Sequence, residues 1–368
     1  MYLNKLCLVN FKNYSEAELN FSPGVNCFVG NNGMGKTNLL DAIHYLAFCK
    51  SYFNPVDSQN IKYDQPFFLI QGFFTEQEKT DEVTCGVKRN QKKQFKKNKK
   101  EYERLSDHIG TCPMVMITPS DAELIMGGSE SRRKFIDGII SQYDKSYLEK
   151  LISYNHVLSQ RNALLKQFQE SGNFDSVALD IWDEQLLTYG EFIVKQRKEF
   201  LFEFIPLFNK NYAFISDSKE KVDLSYLPSL GEKDFKTALL TALPKDRILQ
   251  FTTVGPHRDD LDFKLAEFSL RKFASQGQQK SFLLALKLAQ YEFIKSRKGT
   301  NPLLLLDDVY DKLDEDRFKK LIFLVSKELS GQVFITDTHM ERIQQLFKAA
   351  NVSATIFSIN DGLAKLIN

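Results

Sequence analysis

The fold of this 368-residue chain is decided by one stretch, Gly30-Asn31-Asn32-Gly33-Met34-Gly35-Lys36-Thr37. It fits the pattern G-x-x-x-x-G-K-[ST]. Its surroundings agree, because residues 25–29 read as a short buried strand and a helix with an apolar face follows from Asn38. Glycines let the backbone curl around an anion, and the helix behind them adds the positive end of its dipole. The stretch therefore predicts a phosphate-binding loop between a strand and a helix.

The polar groups of this loop have distinct expected roles. Lys36 would reach the β- and γ-phosphates of a nucleotide as a point charge, while the hydroxyl of Thr37 would ligate magnesium. The other loop residues and Asn38 are expected to line the nucleotide. The alternative is a glycine-rich turn that happens to precede a helix. All four fixed positions of the pattern are present between a strand and a helix, which favours the phosphate loop.

Composition and charge describe an ordinary globular protein. Hydrophobic residues make up 43% and charged residues 26% of the chain, and the net charge is +2, so nucleic-acid binding must come from local patches. The five cysteines are widely spaced without a CxxC pair, which argues against a disulfide framework or a zinc site. No stretch approaches a membrane-spanning length, and no basic-then-apolar leader is present. We expect a cytoplasmic protein of about two domains that has no membrane partner.

The pattern of apolar residues divides the chain into three segments. Residues 1–125 read mainly as strands around the phosphate loop and form the N-terminal part of an ATPase lobe. Residues 126–245 turn helical and are predicted to form an inserted all-helical lobe with an aromatic core at Phe200, Phe202, Phe204 and Phe208. Strand character returns in residues 246–368, which complete the ATPase lobe.

A second chemical feature is the apolar run of residues 302–306, which ends in Asp307 and Asp308. A buried strand can hold acids at its tip only where a cation or water meets them. Asp307 fits a magnesium-associated carboxylate, and Asp308 fits a base or an orienter for attacking water. Strands often end in aspartate, so the run is informative because it accompanies the phosphate loop. A further buried strand ends at Asp337-Thr338-His339.

The stretch Ser275-Gln276-Gly277-Gln278-Gln279 directly precedes a leucine-rich helix. A serine side chain and glycine-freed backbone amides at a helix N-terminus make a second anion site. The phosphate loop already binds the terminal phosphate of its own nucleotide from one side. The simplest role of the second site is therefore to bind the nucleotide of a partner subunit. The alternative is an ordinary N-capped helix.

One conspicuous charge run lies between residues 88 and 100. Its cations are Lys88, Arg89, Lys92, Lys93, Lys96, Lys97, Lys99 and Lys100. The run is either a solvated hairpin tip or a contact to nucleic-acid phosphates, which needs Lys and Arg density rather than fixed geometry. The sequence leaves both interpretations open. The first six cations are the candidate DNA contacts.

Together these motifs resemble a known family, the ATP-binding cassette (ABC) ATPases of DNA maintenance, and within it the recombination mediators of DNA repair. The resemblance covers nearly the whole chain. Beyond the phosphate loop it rests on five stretches: NFKNY at 10–14, SRRKFID at 131–137, GPHRDD at 255–260, SQGQQ at 275–279 and LDDVYDKLD at 306–314. GPHRDD and SQGQQ, in this order, are its most specific parts.

The resemblance implies an α/β fold, an ABC-type P-loop ATPase head of mixed sheets with helices, which carries the inserted all-helical lobe and no long coiled coil. Such heads form ATP-dependent homodimers with two ATP molecules between the phosphate loop of one subunit and the signature of the other. The dimer would hold double-stranded DNA near single-strand gaps. Slow, DNA-stimulated ATP hydrolysis would release it, and recombinase loading would involve RecO- and RecR-like partners.

The resemblance also implies roles for single residues, with ATP and Mg²⁺ as cofactors. Thr37 and Asp307 would hold the metal, and the catalytic set would be Lys36, Asp308 and, from the partner subunit, Ser275. Gly277 and Gln278 would join Ser275 on the nucleotide. Lys12 occupies the place where relatives carry a basic residue near the nucleotide, and residues 313–314 would lie at the dimer seam.

Two expected features of the family are not in their usual places. Relatives with a switch histidine carry it directly after the strand and its threonine, where this chain has Asp337, with His339 two residues later. Both residues stay candidates for sensing the γ-phosphate, and His339 is counted among the nucleotide contacts. The turn 118–121, where a glutamine is expected, contains none.

Functions of two other classes share some of these motifs. A nucleotide-binding subunit of a membrane transporter would share the phosphate loop and the signature, but the large insertion and GPHRDD count against it. A purely structural chromosome-organising head would need coiled-coil arms of many heptads, and the chain has no such array. The sequence therefore favours a slow, DNA-responsive ATP switch.

Overall fold

The computed structural model describes residues 1–217, 220–231, 233–308, 320–321, 324 and 331–367. The strands are β1 Tyr2–Phe11, β2 Tyr14–Asn20, β3 Val25–Val29, β4 Phe67–Glu76, β5 Lys79–Lys88, β6 Gln94–Lys97, β7 Lys100–Glu101, β8 Met114–Ile117, β9 Val222–Leu227, β10 Asp260–Leu265, β11 Phe268–Ser269, β12 Leu303–Leu306, β13 Val333–Asp337, β14 Ala354–Asn360 and β15 Leu363–Leu366. The helices are α1 Lys36–Phe48, α2 Glu123–Met126, α3 Ser129–Tyr143, α4 Lys145–Ser171, α5 Ser176–Ser216, α6 Phe235–Leu249, α7 Leu270–Phe273, α8 Gln276–Lys298 and α9 Met340–Ala350. The expected dimer-seam residues 313–314 lie outside the described residues.

The chain divides into two units, Met1–Asp121 with Lys280–Asn368, and Ala122–Gln279. The boundary near 280 differs from the one expected at 245/246. Residues 246–279 belong to the second unit because β10 pairs with β9 over its whole length, from Asp260 opposite Leu227 to Leu265 opposite Val222. In the described part of the chain, no helix is long and apolar enough to cross a bilayer.

Two sheets of the first unit frame the phosphate loop. In the described residues one is antiparallel, in the order β2-β1-β4-β5-β6-β7, and the other has the order β15-β14-β3-β13-β12-β8. In the second sheet β14, β3, β13, β12 and β8 are parallel. Their carboxyl ends therefore meet at one edge, where ligands of open α/β sheets bind. This edge carries the phosphate loop, Asp307 and Asp337.

One hydrophobic core joins both sheets and α1. It includes Leu6 of β1, Phe28 of β3 and Leu39 of α1, all fully buried. The amide of Gln332 ties the sheets together at the buried start of β13. Its Oε1 accepts from the N–H of Leu3 at 2.7 Å, and its Nε2 donates to the Leu3 carbonyl at 2.8 Å. The start of β13 in one sheet is thus bonded to β1 in the other.

The second unit is mainly helical, but it is not all-helical as expected. It contains the antiparallel sheet β11-β10-β9, and β9 lies in a polar stretch that the sequence analysis placed at the end of the helical lobe. The aromatic core of α5 is confirmed at Phe200, Phe204 and Phe208, which are buried. The expectation is wrong for Phe202, which is 82% exposed. A helix of 3.6 residues per turn places residue 202 on the face opposite to 200 and 204.

Candidate nucleotide-binding site

The phosphate loop joins β3 to α1, as the sequence predicts. β3 is buried throughout, and α1 begins at Lys36. Gly33 and Gly35 have φ angles of +82° and +109°, a region that favours glycine. Gly30 has a different constraint, because a Cβ there would lie 2.2 Å from the carbonyl oxygen of Ile359 in β14. The three glycines of the loop are therefore required by its backbone path and its neighbours.

The N–H groups of the loop are available for an anion. Within the described residues, the N–H groups of Gly33, Gly35 and Lys36 have no hydrogen-bond acceptor. The ammonium of Lys36, which is 4% exposed, donates to the carbonyls of Gly30 at 2.7 Å and Asn31 at 3.1 Å. Three unpaired donors beside an ammonium, at the start of a helix, form a site suited to a polyphosphate.

Asp307 meets the loop from the end of β12. Its Oδ1 accepts hydrogen bonds of 2.9 Å from Thr37 Oγ1 and from Thr336 Oγ1 of β13. Burial raises the pKa of Asp307 to about 6, although both hydroxyls and the charge of Lys36 act against this shift. A hydroxyl and a carboxylate are oxygen ligands that Mg²⁺ accepts, and Mg²⁺ typically uses one or two carboxylates with substrate phosphates. The residues therefore fit the expected metal.

Asp308 and the two switch candidates lie at the same sheet edge. The N–H of Asp308 donates to Thr336 Oγ1 at 2.8 Å, and its φ of +46° turns the chain away from β12. The buried carboxylate of Asp337 accepts from the N–H of His339 at 2.7 Å and from Arg342 Nη2 at 2.6 Å. The His339 residue is exposed at the start of α9. Asp337 is thus already engaged, and His339 presents the more accessible side chain.

Lys12 lies in the two-residue turn between β1 and β2. Its ammonium is 2.6 Å from Oδ2 of Asp41, a fully buried residue of α1. A cavity of about 760 Å³ opens beside it, lined also by Phe53, Tyr63 and Arg89. Cations and aromatic rings suit the base and ribose of a nucleotide. No sequence pattern indicates that Phe53 and Tyr63 line this cavity, because isolated aromatic residues in a loop carry no spacing signal.

Comparison with known proteins adds to this geometry. The sequence model of a family described as "RecF/RecN/SMC N terminal domain" matches residues 2–363. A protein of Phocaeicola vulgatus described as "DNA replication and repair protein RecF" is 50% identical over 364 residues, which cover 98% of this chain and 97% of the relative. A protein of Flavobacterium johnsoniae with the same description is 50% identical over 359 residues, covering 98% and 100%. The chain belongs to the RecF family.

A solved RecF structure confirms the fold. The structure described as "the recombination mediator protein RecF-ATP in RecFOR pathway" is 33% identical and superposes with a TM-score of 0.90, covering 100% of this chain and 98% of that one. The fold is therefore a P-loop ATPase head of the ABC/SMC type, as the motifs indicate. The transporter alternative is not supported, because the matching family is RecF.

The signature of this RecF-family chain lies in the second unit, at the exposed N-terminus of α8. The N–H of Ser275 donates to Gln278 Oε1 at 2.7 Å, and the N–H of Gln278 donates to Ser275 Oγ at 3.2 Å. Gln278 also donates to Glu220 at 2.7 Å, and Gly277 follows directly after the first residue of the helix. The helix is thus capped by its own signature. The action of Ser275, Gly277 and Gln278 on a partner's nucleotide stays a prediction.

The basic segment divides into exposed and engaged cations. Lys88, Arg89 and Lys92 are exposed and Lys96 is half-exposed, and of these Arg89 Nε donates to the Gln65 carbonyl at 3.2 Å. By contrast, Lys93 donates to the carbonyl of Cys49 at 2.6 Å and pairs with Asp57 at 2.8 Å, and Lys97 pairs with Asp81 at 2.8 Å. Lys93 and Lys97 are therefore engaged in contacts within the first unit, and the exposed members are the better candidates for phosphate contacts.

The two RecF-type stretches 131–137 and 255–260 meet in the second unit. Arg132 forms a two-bond pair with Asp260 at 2.6 and 3.0 Å. Arg197 of α5, which is 2% exposed, pairs with Asp137 and donates to the Pro256 carbonyl at 2.7 Å. These arginines have partners for their charges, so the stretches form a buried structural network. The sequence shows the stretches, but it does not show that Arg197 joins them.

Proposed function

We propose that this protein is an ATP-dependent DNA-binding protein of recombinational DNA repair. ATP and Mg²⁺ would occupy the phosphate loop, the Thr37–Asp307 pair and the cavity beside Lys12. The observation that carries the proposal is the set of three unpaired N–H groups and one ammonium next to that pair. This arrangement suits a polyphosphate with a hard cation. The RecF-ATP structure and the description of the relatives as DNA replication and repair proteins support it.

Hydrolysis in this site would be phosphoryl transfer to water, which depends on positioning and charge stabilisation. Lys36 would leave the carbonyls of the loop and bind the β- and γ-phosphate oxygens. Asp308 would orient the attacking water from the end of β12. Thr37 and Asp307 would hold Mg²⁺, whose charge would help neutralise the phosphates.

A second copy would complete the site through its signature. Ser275 is exposed and lies at a helix N-terminus, where an anion is favoured. ATP would then link two subunits around double-stranded DNA near single-strand gaps, and slow, DNA-stimulated hydrolysis would release them. Turnover would be slow because the subunits must assemble before the site is complete.

The DNA and protein partners are also part of the proposal. The exposed cations Lys88, Lys92 and Lys96 would contact phosphates of the duplex, whereas Arg89 lines the cavity beside Lys12. RecO- and RecR-like proteins would cooperate in recombinase loading, in agreement with the RecFOR pathway in the description of the related structure. The cytoplasm, where bacterial DNA lies, is the proposed location.

Fluorescence anisotropy of a labelled duplex, measured with and without ATP and Mg²⁺ at a stated salt concentration, tests this function. We expect ATP to tighten duplex binding, and Lys36→Ala to lose this gain because the phosphates lose their ammonium. Lys198→Ala removes an exposed lysine of α5 and is expected to keep the ATP effect. Equal duplex affinity with and without ATP would contradict ATP control. An absence of duplex binding in both states would contradict the DNA-binding function.

A further inference from the structure

The phosphate loop is held from outside by the turn between β1 and β2. Asn13 Nδ2 donates to the carbonyl of Met34 at 3.1 Å, and Asn13 Oδ1 accepts from Asn38 Nδ2 at 2.7 Å. The side chain therefore bridges the loop and the first turn of α1. The fit is close, because a Cβ on Gly35 would lie 2.5 Å from Asn13 Nδ2. Only glycine leaves room for this bridge.

Two further groups hold the same part of the loop. The N–H of Gly362, in the turn between β14 and β15, donates to the Met34 carbonyl at 3.2 Å. Gly362 has a φ of +73°, and a Cβ there would lie 2.8 Å from the carbonyl oxygen of Asn13. The fully buried hydroxyl of Tyr14 donates to the Gly35 carbonyl at 3.0 Å. The Met34 carbonyl is therefore fixed by two groups outside the loop, and the Gly35 carbonyl is fixed by Tyr14 together with the first turn of α1.

Fixing these carbonyls also fixes the N–H groups that follow them. In a trans peptide the C=O of one residue and the N–H of the next point in opposite directions. The bond from Asn13 to the Met34 carbonyl therefore turns the Gly35 N–H to the other side, where it has no acceptor among the described residues. The Gly35 carbonyl accepts from Tyr14 and from the N–H groups of Asn38 at 3.1 Å and Leu39 at 3.2 Å, and the N–H of Lys36 therefore points to the other side in the same way.

We propose that Asn13 is a positioning residue for phosphate binding, and that Tyr14 and Gly362 assist it by holding the same peptide groups. Donors that are already oriented need no rearrangement when an anion binds. Binding is therefore not weakened by the entropy cost of ordering the loop. The proposal rests on the proposed function, because it takes the loop to bind a polyphosphate. It gives the two residues of the turn separate tasks, since Lys12 faces the cavity and Asn13 faces the loop.

Calorimetric titration of the full chain with ATP and with inorganic tripolyphosphate, both with Mg²⁺, tests the role of Asn13. Tripolyphosphate reports on the loop without the base. We expect Asn13→Ala to weaken binding of both probes by a similar factor of about tenfold or more. Glu16→Ala, an exposed position in the same hairpin, is the matched control and should bind both probes like the wild type. The melting temperature without ligand is measured in parallel.

Each outcome decides between specific explanations. Wild-type affinity of Asn13→Ala for tripolyphosphate would overturn the inference, as would a loss confined to ATP, which would assign Asn13 to the base. A lower melting temperature with unchanged affinity for both probes would show a structural role only and would also overturn it. If Asn13→Ala fails to fold, Tyr14→Phe provides the test. It removes one hydroxyl and should weaken the binding of both probes severalfold. Failure of the wild type to bind either probe would refute the proposed function instead.

Discussion

The hydroxyl of Thr37 donates a 2.9 Å hydrogen bond to Oδ1 of Asp307, and so joins the phosphate loop to the end of β12 across 270 residues of sequence. Thr336 donates a second bond of 2.9 Å to the same oxygen. Asp307 is 4% exposed, and burial raises its pKa to about 6. The fold therefore holds a carboxylate in an environment that opposes its charge.

Asp307→Asn removes this charge and keeps the shape of the side chain. When the pKa of a carboxyl is higher in the folded than in the unfolded protein, the free energy of unfolding decreases as the pH rises between the two pKa values. At pH 7 this decrease is complete for Asp307. We expect the free energy of unfolding at pH 7 to increase by about 1–3 kcal/mol. ATP binding in Mg²⁺ should weaken about tenfold or more, with little change in EDTA. Chemical unfolding and calorimetric titration measure the two effects, and unchanged affinity in Mg²⁺ would remove Asp307 from the metal site.

Lys92 and Lys93 are neighbours in the basic segment with different environments. Lys93 is bonded to Asp57 and to the carbonyl of Cys49, so Lys93→Ala should reduce the free energy of unfolding by about 1–3 kcal/mol. Lys92 is exposed, and Lys92→Ala should change stability by less than about 0.5 kcal/mol. It should instead reduce the slope of log duplex affinity against log salt concentration by about one. An unchanged salt slope would leave the segment as a solvated hairpin tip.

The parts of the site that the sequence predicts are those that local backbone geometry encodes. Gly33 and Gly35 are needed for positive φ angles, and their spacing before Lys36 is therefore visible in the chain itself. Asp307 was found because it ends an apolar run. Thr336 was not found, because its meeting with Asp307 depends on the parallel pairing of β12 with β13, and no local pattern reports that pairing.

The second unit shows the same limit at the level of the fold. β9 lies in a polar stretch that Pro228 and Gly231 follow closely, a composition typical of loops. It is a strand because β10, more than 30 residues later, supplies the partner. The tendency of a segment to form a strand depends strongly on its neighbours in the sheet. The sequence of residues 222–227 alone therefore does not indicate a strand.

The buried His44 and His108 and the half-buried His257 make the stability of the protein dependent on pH. Burial lowers the pKa values of His44, His108 and His257 to about 4. Between that value and about 6.5 the unfolded chain binds protons that the folded chain does not, so stability falls as the pH falls. We expect a loss of roughly 1–2 kcal/mol per histidine from pH 7 to pH 5, partly offset by protonation of Asp307.

Urea unfolding at pH 7 and pH 5 measures this dependence. His44 stacks on Phe48 with ring centroids 4.6 Å apart, so His44→Phe keeps an aromatic ring and removes one titrating group. The variant should lose less stability than the wild type over the same pH range. Equal losses in the two proteins would show that His44 does not contribute.

The action of the signature on a partner's nucleotide can be separated from its capping of α8. Ser275 caps the helix through its hydroxyl, and aspartate and asparagine cap helices as well as serine does. Ser275→Asp therefore keeps the cap but places a negative charge where the partner's terminal phosphate would bind, whereas Ser275→Asn keeps the cap without the charge. Both variants should bind ATP and unfold like the wild type, because the phosphate loop is unchanged.

Light scattering with ATP and Mg²⁺ measures the oligomeric state. It should show dimers for the wild type and Ser275→Asn and monomers for Ser275→Asp. Ser275→Arg should also be monomeric, because its long side chain would block the approach of a second copy. Dimers of Ser275→Asp with ATP would contradict the trans role and leave the stretch as an ordinary N-cap.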